Sequence, residues 1–233
     1  WLFKQEYPAT AAEAFQSSGQ DSLIVPELVT KARKAEHDGN GPLVIGVDPA
    51  RFGEDRTAIV RRKGRKVTEI EAHSKLDTMQ VAGLARRIIE KEKPAAVFVD
   101  VIGLGAGVVD RLNEMGFGSV VRGVNSSESP MAPEPAEGGG PVNRRAEMWS
   151  EMADWFRDPA GVDIPDDDAL HADLTAPGYS FDSHGRLRIE KKEDIKKRGM
   201  RSPDLGDALA LTFAEPVAAG RGAPLKQNFG WVV

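Results

Sequence analysis

Short apolar segments separated by turns mark the chain from residue 43 onward. Leu43–Val47 is apolar and ends at Asp48, which predicts a buried strand. Thr57–Arg61 and Lys66–Ala72 follow, with Lys63-Gly64 as the turn between them. Three strands joined by short connections predict an antiparallel meander.

Helical spacing begins at Asp77, which forms a predicted capping box with Gln80. The apolar positions behind this cap fall at i, i+3, i+4 and i+7, and they are Val81, Leu84, Ala85 and Ile88. Beyond Pro94 we expect a strand, a helix and a strand at Ala95–Val99, Val108–Met115 and Ser119–Val124. Alternating strands and helices predict a parallel layer.

The next segment, Asn125–Pro141, is rich in Ser, Pro, Glu and Gly, and we expect a mobile loop there. Asn143 is the expected cap of a helix. Its apolar stripe is predicted to be core and consists of Trp149, Met152, Ala153 and Phe156. Gly178–Asp182 and Arg186–Glu190 predict a hairpin. Ser202, with Pro203 at the first helical position, is expected to cap a last helix that runs through Ala214.

These elements predict an α/β fold with a mixed sheet, in which a three-strand meander continues into parallel strands and helices flank both. Residues 1–40 are polar and mixed, and we expect an N-terminal arm rather than core, with short helices at Ala11–Phe15 and Pro26–Ala35. The folded domain is expected at 41–216 and a tail at 217–233. The chain starts with Trp1, which suggests a fragment of a longer or processed protein.

The composition limits which kinds of site the chain can contain. The chain has 233 residues and no cysteine, which excludes disulfides and cysteine–zinc sites. No apolar run reaches the ~18 residues that a membrane span needs. The net charge of −5 gives no general indication of nucleic acid, but two stretches are basic. Residues 184–201 hold eight Lys/Arg and three acids, and residues 51–66 hold seven and two. Such strips can contact phosphates, and a solvated face explains them equally well.

Three aspartates stand at unusual positions. Asp48 ends the first strand, Asp100 ends the fourth, and Asp207 lies one turn into the last helix, with Asp204 on the same face. Neighbouring parallel strands would bring Asp48 and Asp100 together at one edge of the sheet. Their mutual repulsion is relieved by a cation, and carboxylate oxygens suit Mg²⁺ or Mn²⁺. Two such ions roughly 4 Å apart can support phosphodiester cleavage.

The same pattern resembles the RNase H-like nuclease domain of large terminases, the DNA-packaging motors of tailed bacteriophages. The matching stretches are Val44–Ala50, Gly53–Thr57, Val97–Asp100 with Gly103–Gly107, Asn143–Trp149, and Arg198–Leu209. Residues Gln5–Phe15 resemble the segment that follows the ATPase domain in that family. The resemblance runs from residue 1 to about residue 215.

This resemblance implies that Asp48, Asp100 and Asp207 are catalytic metal ligands and that Asp204 is a fourth ligand or a supporting residue. It implies two Mg²⁺ or Mn²⁺ ions and endonucleolytic cleavage of concatemeric double-stranded viral DNA during packaging. It also makes DNA contacts plausible for the basic residues before the last helix, which are Lys191, Lys192, Lys196 and Arg198.

Further expectations concern partners. The chain has no GxxxxGK[ST] sequence, so the ATPase domain of the same polypeptide would lie outside it. The implied partners are double-stranded DNA, that ATPase domain, the small terminase subunit and the portal, with no membrane. The implied location is the host cytoplasm.

Three other functions stay open at this point. A RuvC-like junction resolvase shares the fold and the metals, although the terminase-like arm argues against it. An actin-like ATPase or sugar kinase is suggested loosely by Gly46–Asp48 with Gly53 and Thr57, but a second phosphate loop and a second lobe are missing. A non-catalytic docking module would make the aspartates structural. Gly103–Gly107 lacks the full spacing of a dinucleotide-binding turn, and close packing beside Asp100 is the favoured interpretation.

Overall fold

A mixed five-stranded sheet forms the centre of the computed structural model, which describes residues 22–50, 55–133, 135 and 138–218. Its strands are β1 (Leu43–Asp48), β2 (Thr57–Lys63), β3 (Lys66–His73), β4 (Ala96–Asp100) and β5 (Val121–Val124). The spatial order is β3-β2-β1-β4-β5. Strands β1, β2 and β3 pair antiparallel, and β4 is parallel to both β1 and β5. The predicted meander with a parallel layer is confirmed.

Helices cover both faces of this sheet. They are α1 (Pro26–Ala32), α2 (Thr78–Glu92), α3 (Gly105–Glu114), α4 (Arg144–Arg157), α5 (Asp168–Thr175), α6 (Lys192–Lys197) and α7 (Asp204–Leu211). The expected hairpin consists of β6 (Tyr179–Phe181) and β7 (Leu187–Ile189). The sequence did not predict α5 or α6. Within the described ranges, no helix has the length and apolar character needed to cross a membrane.

Two hydrophobic cores lie on opposite faces of the sheet. Val44 and Phe98 pack into the core that includes α1, α4, α5 and α7. Ile45 and Val97 point to the other face and pack against α2 and α3. Successive side chains of a strand point to opposite faces, so strands buried on both sides appear as continuous apolar segments. This explains why β1 and β4 were recognisable from sequence.

The described part of the expected arm belongs to the core. Leu23, Ile24, Val29 and Ala32 are all buried in the same cluster as the sheet. The expectation that this stretch lies outside the core is therefore wrong, because apolar residues of α1 cover one face of the domain. The boundary at residue 40 itself stays a prediction. The helix expected at Ala11–Phe15 lies outside the described residues, as does the tail beyond residue 218.

The last helix packs unusually close to β1. A Cβ built on Gly46 would lie 1.9 Å from the carbonyl oxygen of Ala208, so only glycine permits this approach. The predicted Ser202 cap is wrong. The cap position is Pro203, without a side-chain cap, and the helix ends at Leu211 rather than Ala214. The amide of Leu205 instead donates to Asp173 Oδ2 of α5 at 2.8 Å, so a tertiary contact replaces the local cap.

We predict that Gly46→Ala destabilises the domain by about 3 kcal/mol, because α7 must move away from β1 to admit the methyl group. Urea unfolding measures the change. Gly83→Ala is the matched control, since nothing lies within 4 Å of a Cβ there and the residue is inside α2. That control is expected to be neutral or stabilising by about 0.5–1 kcal/mol. Equal stability of the two variants would contradict the close packing of α7.

Candidate metal centre

Four aspartates, three of them buried and Asp100 half-buried, lie at the carboxyl end of the parallel strands. Asp48 ends β1 and Asp100 ends β4, and these strands are parallel neighbours, so both carboxylates lie at one edge of the sheet. Asp204 and Asp207 lie in the first turn of α7, which packs against β1. We call these four residues the acidic cluster.

A lysine ammonium lies among these carboxylates. Lys192 Nζ is 2.7 Å from Asp48 Oδ2, 3.2 Å from Asp207 Oδ2 and 3.8 Å from Asp204 Oδ1. Lys192 is the first residue of α6, and the packing of that short helix directs its side chain inward. It was predicted as a DNA-binding residue, which stays a prediction, and the structure places its ammonium next to the acidic cluster.

Asp207 is fixed by two residues of α4. Arg145 Nε donates to Asp207 Oδ1 at 2.9 Å, and Arg145 Nη1 donates to the carbonyl of Glu190 at 2.7 Å. The indole Nε1 of Trp149 donates to the same Asp207 Oδ1 at 2.8 Å. Trp149 is fully buried, as the core prediction requires, and it also orients a residue of the cluster.

Asp100 is held by donors that follow β4 and β5. Its Oδ1 accepts the amide of Ile102 at 3.0 Å, and its Oδ2 accepts the hydroxyl of Ser126 at 2.9 Å. A Cβ on Gly105 would lie 1.6 Å from the carbonyl oxygen of Asp100. Close packing is therefore confirmed as the reason for glycine at this position of Gly103–Gly107.

Asp204 is held by the segment that leads into β2. The amide of Arg56 donates to Asp204 Oδ2 at 2.9 Å, and the Arg56 guanidinium lies 3.9 Å from Asp173 Oδ2. Because Asp173 also caps α7, these contacts fix the start of the helix that carries both aspartates. Asp55, in the same segment, pairs with Lys196 at 2.7 Å.

Burial controls the protonation of these carboxyls. It raises the pKa of Asp48 to about 7, with neighbouring Asp207 adding to the rise and Lys192 opposing it. Burial also raises the pKa values of Asp100 and Asp204. For Asp207 the positive charges of Arg145 and Lys192 outweigh burial and lower its pKa. The pKa of Lys192 is raised well above its ordinary value because the carboxylates outweigh its burial.

The cluster therefore fits a hard divalent cation. Four carboxyls share two close cations, Lys192 and Arg145, which leaves negative charge uncompensated in a buried place. The ligand atoms that these carboxyls offer to a metal ion are all oxygens, which Mg²⁺ and Mn²⁺ prefer. Within the described ranges, no three acidic or histidine side chains are already arranged so that they could hold a metal ion. The Lys192 ammonium takes up space among them, so binding of an ion there requires Lys192 to withdraw.

The raised pKa values predict that the metal-free domain loses stability as pH rises from 5 to 8. Burial raises the pKa of Asp173 to about 7, as it does for Asp48. A carboxyl with a raised pKa in the folded state favours folding when it is protonated, and this contribution disappears as pH rises through the folded pKa. A shift of about three pKa units from one group corresponds to roughly 2–4 kcal/mol.

Urea unfolding in EDTA at several pH values measures this slope. Asp173→Asn is expected to flatten it, because that carboxyl can no longer bind a proton. Stability that increases between pH 5 and pH 8 would contradict the prediction.

An open cleft of about 680 Å³ exposes the cluster to solvent. We call it the main cleft. Its floor contains Asp48, Asp100 and Asp204, and one wall contains Arg188 and Lys191. Both of these cationic side chains are exposed, and neither forms an ion pair with another residue in the described part of the chain. A polyanion could therefore enter the cleft and meet unpaired positive charge.

The other predicted DNA-binding residues have intramolecular partners. Lys196 pairs with Asp55, as described above. Arg198 Nε donates to Glu190 at 2.9 Å, and Arg198 Nη2 donates to the carbonyl of Ala176 at 2.9 Å. Only Lys191 of the four stands free on the wall of the main cleft, within the region that the structure describes. A DNA contact by any of them stays a prediction.

The loop after β5 is attached to α4. Glu147 accepts the amides of Met131 and Ala132 at 3.0 and 2.7 Å, and its carboxylate also pairs with Arg144. The amide of Arg144 donates to the carbonyl of Glu128. Glu147 therefore anchors the described part of this loop to α4.

Sequence analysis did not predict that Arg145, Trp149 and Asp173 hold residues of the acidic cluster in place. Arg145 and Trp149 lie in the motif Asn143–Trp149, so the resemblance contained a signal for them. Asp173 had no such signal, because its function depends on the contact between α5 and α7. The prominent carboxylates at strand ends were recognisable, and the residues that position them were not.

Known structures resemble this fold. The nuclease domain of the large terminase subunit gp2 of bacterial virus Sf6 matches with a TM-score of 0.73 and 24% identity, over 84% of this chain and 100% of that one. A variant of that Sf6 domain with manganese and beta-thujaplicinol gives 0.73 and 22%, over the same shares. The large terminase nuclease from thermophilic phage G20c with bound magnesium gives 0.58 and 14%, over 85% and 99%.

No family model matches the chain, and no curated protein does. At these sequence identities the structural likeness concerns the fold. The predicted RNase H-like fold of a large-terminase nuclease domain is thus confirmed, over most of the chain.

Proposed function

We propose that this domain is a metal-dependent endonuclease that cleaves double-stranded DNA during viral genome packaging. The observation that carries the proposal is that Asp48, Asp204 and Asp207 all lie within 3.8 Å of Lys192 Nζ, beside an open cleft lined by Asp48, Asp100 and Asp204. A fold similar to terminase nuclease domains supports the same conclusion. Neighbouring structures with manganese and with magnesium support Mg²⁺ or Mn²⁺ as the ions.

Asp48, Asp100 and Asp207 would hold the ions, and Asp204 would support them from the same face of α7. Bound there, two divalent ions supply an activated water and stabilise the charge that develops on the leaving oxygen. Arg145 and Trp149 keep Asp207 in one orientation through their donors to its Oδ1. Ser126 and the Ile102 amide do the same for Asp100.

Lys192 has a different part in this proposal. Its ammonium compensates the carboxylates when no ion is bound, and it yields its place when ions enter. The domain can then fold before metal binds with less buried negative charge left uncompensated. Arg188 and Lys191 supply positive charge to phosphates at the wall of the cleft.

Cleavage of supercoiled plasmid tests the function. With Mn²⁺ or Mg²⁺ the purified chain is expected to nick and linearise the plasmid, and EDTA is expected to abolish both products. A folded chain that gains thermal stability from the metal yet leaves plasmid intact at every metal and protein concentration would contradict a nuclease. Four-way junction DNA belongs in the same assay, because preferential cleavage of junctions would favour the RuvC-like alternative.

The biological setting follows the same proposal. The substrate would be concatemeric viral DNA in the host cytoplasm. The partners would be the ATPase domain of the same polypeptide, the small terminase subunit and the portal. The terminase nuclease domains of similar fold support this setting.

A further inference from the structure

A second cavity, of about 580 Å³, adjoins the main cleft on the far side of the acidic cluster. We call it the side cavity. It shares Asp55 and Asp204 with the main cleft, so the two cavities adjoin at these carboxylates. Its wall is built by the turn between β3 and α2 and by the segment between α6 and α7, which place Lys75 and Arg201 around it.

The two cavities differ in charge. The main cleft is lined by five acidic and four basic residues. The side cavity is lined by four basic residues against the two shared aspartates, and the basic ones are Arg56, Lys75, Lys196 and Arg201. A cation is therefore favoured in the main cleft, and an anion is favoured in the side cavity.

Two of these basic residues have no internal partner. Lys75 and Arg201 are exposed, and neither forms an ion pair with any residue in the described ranges. Arg56 and Lys196 already face acidic side chains, at 3.9 and 2.7 Å. Lys75 and Arg201 therefore provide unpaired positive charge on this wall, at a short distance from the acidic cluster.

Ser202 also lines the side cavity, but its hydroxyl supports the acidic cluster and does not face a strand in the cavity. The residue is 3% exposed and its Oγ is buried. Ser202 helps to lower the pKa of Asp204, against the larger effect of burial, which raises it.

We propose that the side cavity binds the sugar-phosphate backbone of the cleaved DNA on one side of the scissile bond, through Lys75 and Arg201. This inference rests on the proposed nuclease function. A strand that is cut at the acidic cluster continues on both sides of the cut. The side cavity adjoins the cluster at Asp204 and offers unpaired positive charge to one of these sides.

The test compares two double variants that remove the same charge. The first is Lys75→Gln with Arg201→Gln. The control is Lys93→Gln with Arg87→Gln. Lys75 and Lys93 both have positive φ, +62° and +50°, and they flank the two ends of α2. Lys93 and Arg87 are exposed, lack ion pairs within the described residues and line neither cavity. The control therefore matches charge, exposure and, for the lysines, backbone strain.

The readout is binding of a labelled short DNA duplex in Ca²⁺ over a series of salt concentrations. Each lost phosphate contact lowers the slope of log K against log salt by about 0.9, so the first double variant is expected to lose about 1.8. Its affinity is expected to fall on the order of tenfold or more. The control is expected to bind as wild type does, and Lys75→Arg with Arg201→Lys is expected to restore the slope.

Each outcome decides something. Equal slopes for the first double variant and wild type would overturn the inference, and so would equal losses in both double variants. If wild type cuts plasmid and the slopes do not differ, the proposed nuclease function is retained and DNA binding in the side cavity is rejected. If wild type neither binds duplex nor cuts plasmid, both the nuclease function and DNA binding in the side cavity are contradicted.

Discussion

Asp48→Asn is expected to lower metal-dependent DNA cleavage by at least about 10³-fold, because loss of one carboxylate ligand removes several kcal/mol of metal-ion stabilisation. Asp48 is the residue of choice because, among the residues that the structure describes, its side chain accepts no backbone amide and caps no helix. Its side chain accepts a hydrogen bond from the Lys192 ammonium, and an asparagine Oδ1 can still accept that hydrogen bond.

The fold is expected to survive this substitution. Burial raises the pKa of Asp48 to about 7, so the metal-free domain gains nothing from the negative charge at neutral pH. Unfolding in EDTA should therefore give equal or slightly higher stability for Asp48→Asn. The increase in melting temperature that Mn²⁺ gives to wild type should disappear, since the ion loses a ligand.

Asp110→Asn is the matched control for charge. Asp110 lies on α3, is exposed and does not line either cavity. It should retain full cleavage and the full metal-dependent increase in melting temperature. Cleavage by Asp48→Asn at the level of Asp110→Asn would show that Asp48 holds no catalytic ion. Unfolding of Asp48→Asn in EDTA would instead make that residue structural.

Lys192→Met is expected to show that Lys192 compensates the charge of the acidic cluster, a role that differs from contacting DNA. The substitution removes the ammonium and keeps an unbranched apolar stem. In EDTA the variant should be less stable than wild type by about 2–3 kcal/mol, below the usual cost of breaking a fully buried pair. The loss of stability is smaller than that cost because the Lys192 side chain is 30% exposed, so solvent partly screens its charge.

Metal should reverse this loss. With the ammonium gone, an ion no longer has to displace it, so Mn²⁺ should bind Lys192→Met more tightly than wild type. At a metal concentration of 100 times the Kd the ion contributes about 2.7 kcal/mol, which offsets the defect. Calorimetric titration measures the affinity, and urea unfolding with and without Mn²⁺ measures the recovery.

Lys191→Met is the control, because its side chain is adjacent in sequence, exposed and unpaired among the described residues. It should change neither stability in EDTA nor metal affinity. Weaker metal binding by Lys192→Met, or equal stability of the two variants in EDTA, would contradict the placement of the ammonium among the carboxylates.

The parts of the site that sequence predicts are those fixed by strand ends. Asp48 and Asp100 each terminate an apolar segment, and the carboxyl ends of parallel neighbouring strands meet at one edge of the sheet. The spacing of Asp204 and Asp207 fits one face of a helix. Local patterns were therefore sufficient to bring these four residues into one hypothesis.

The parts that sequence misses depend on contacts between distant elements. Helix α6 has six residues, too few for a periodic apolar pattern, and only its packing turns Lys192 toward the aspartates. The cap of α7 comes from Asp173 on α5 rather than from Ser202, although the local sequence matches a capping signal. Likewise, α1 appears polar in sequence and still contributes Val29 and Ala32 to the core.

The most direct test of the metal centre is a crystal of this domain grown with Mn²⁺ and measured for anomalous scattering. Anomalous peaks are expected among the carboxylates of Asp48, Asp100 and Asp207, with the Lys192 ammonium withdrawn from Asp48. A crystal with Mn²⁺ present in which no peak touches these aspartates, and in which Lys192 Nζ remains bonded to Asp48, would contradict it.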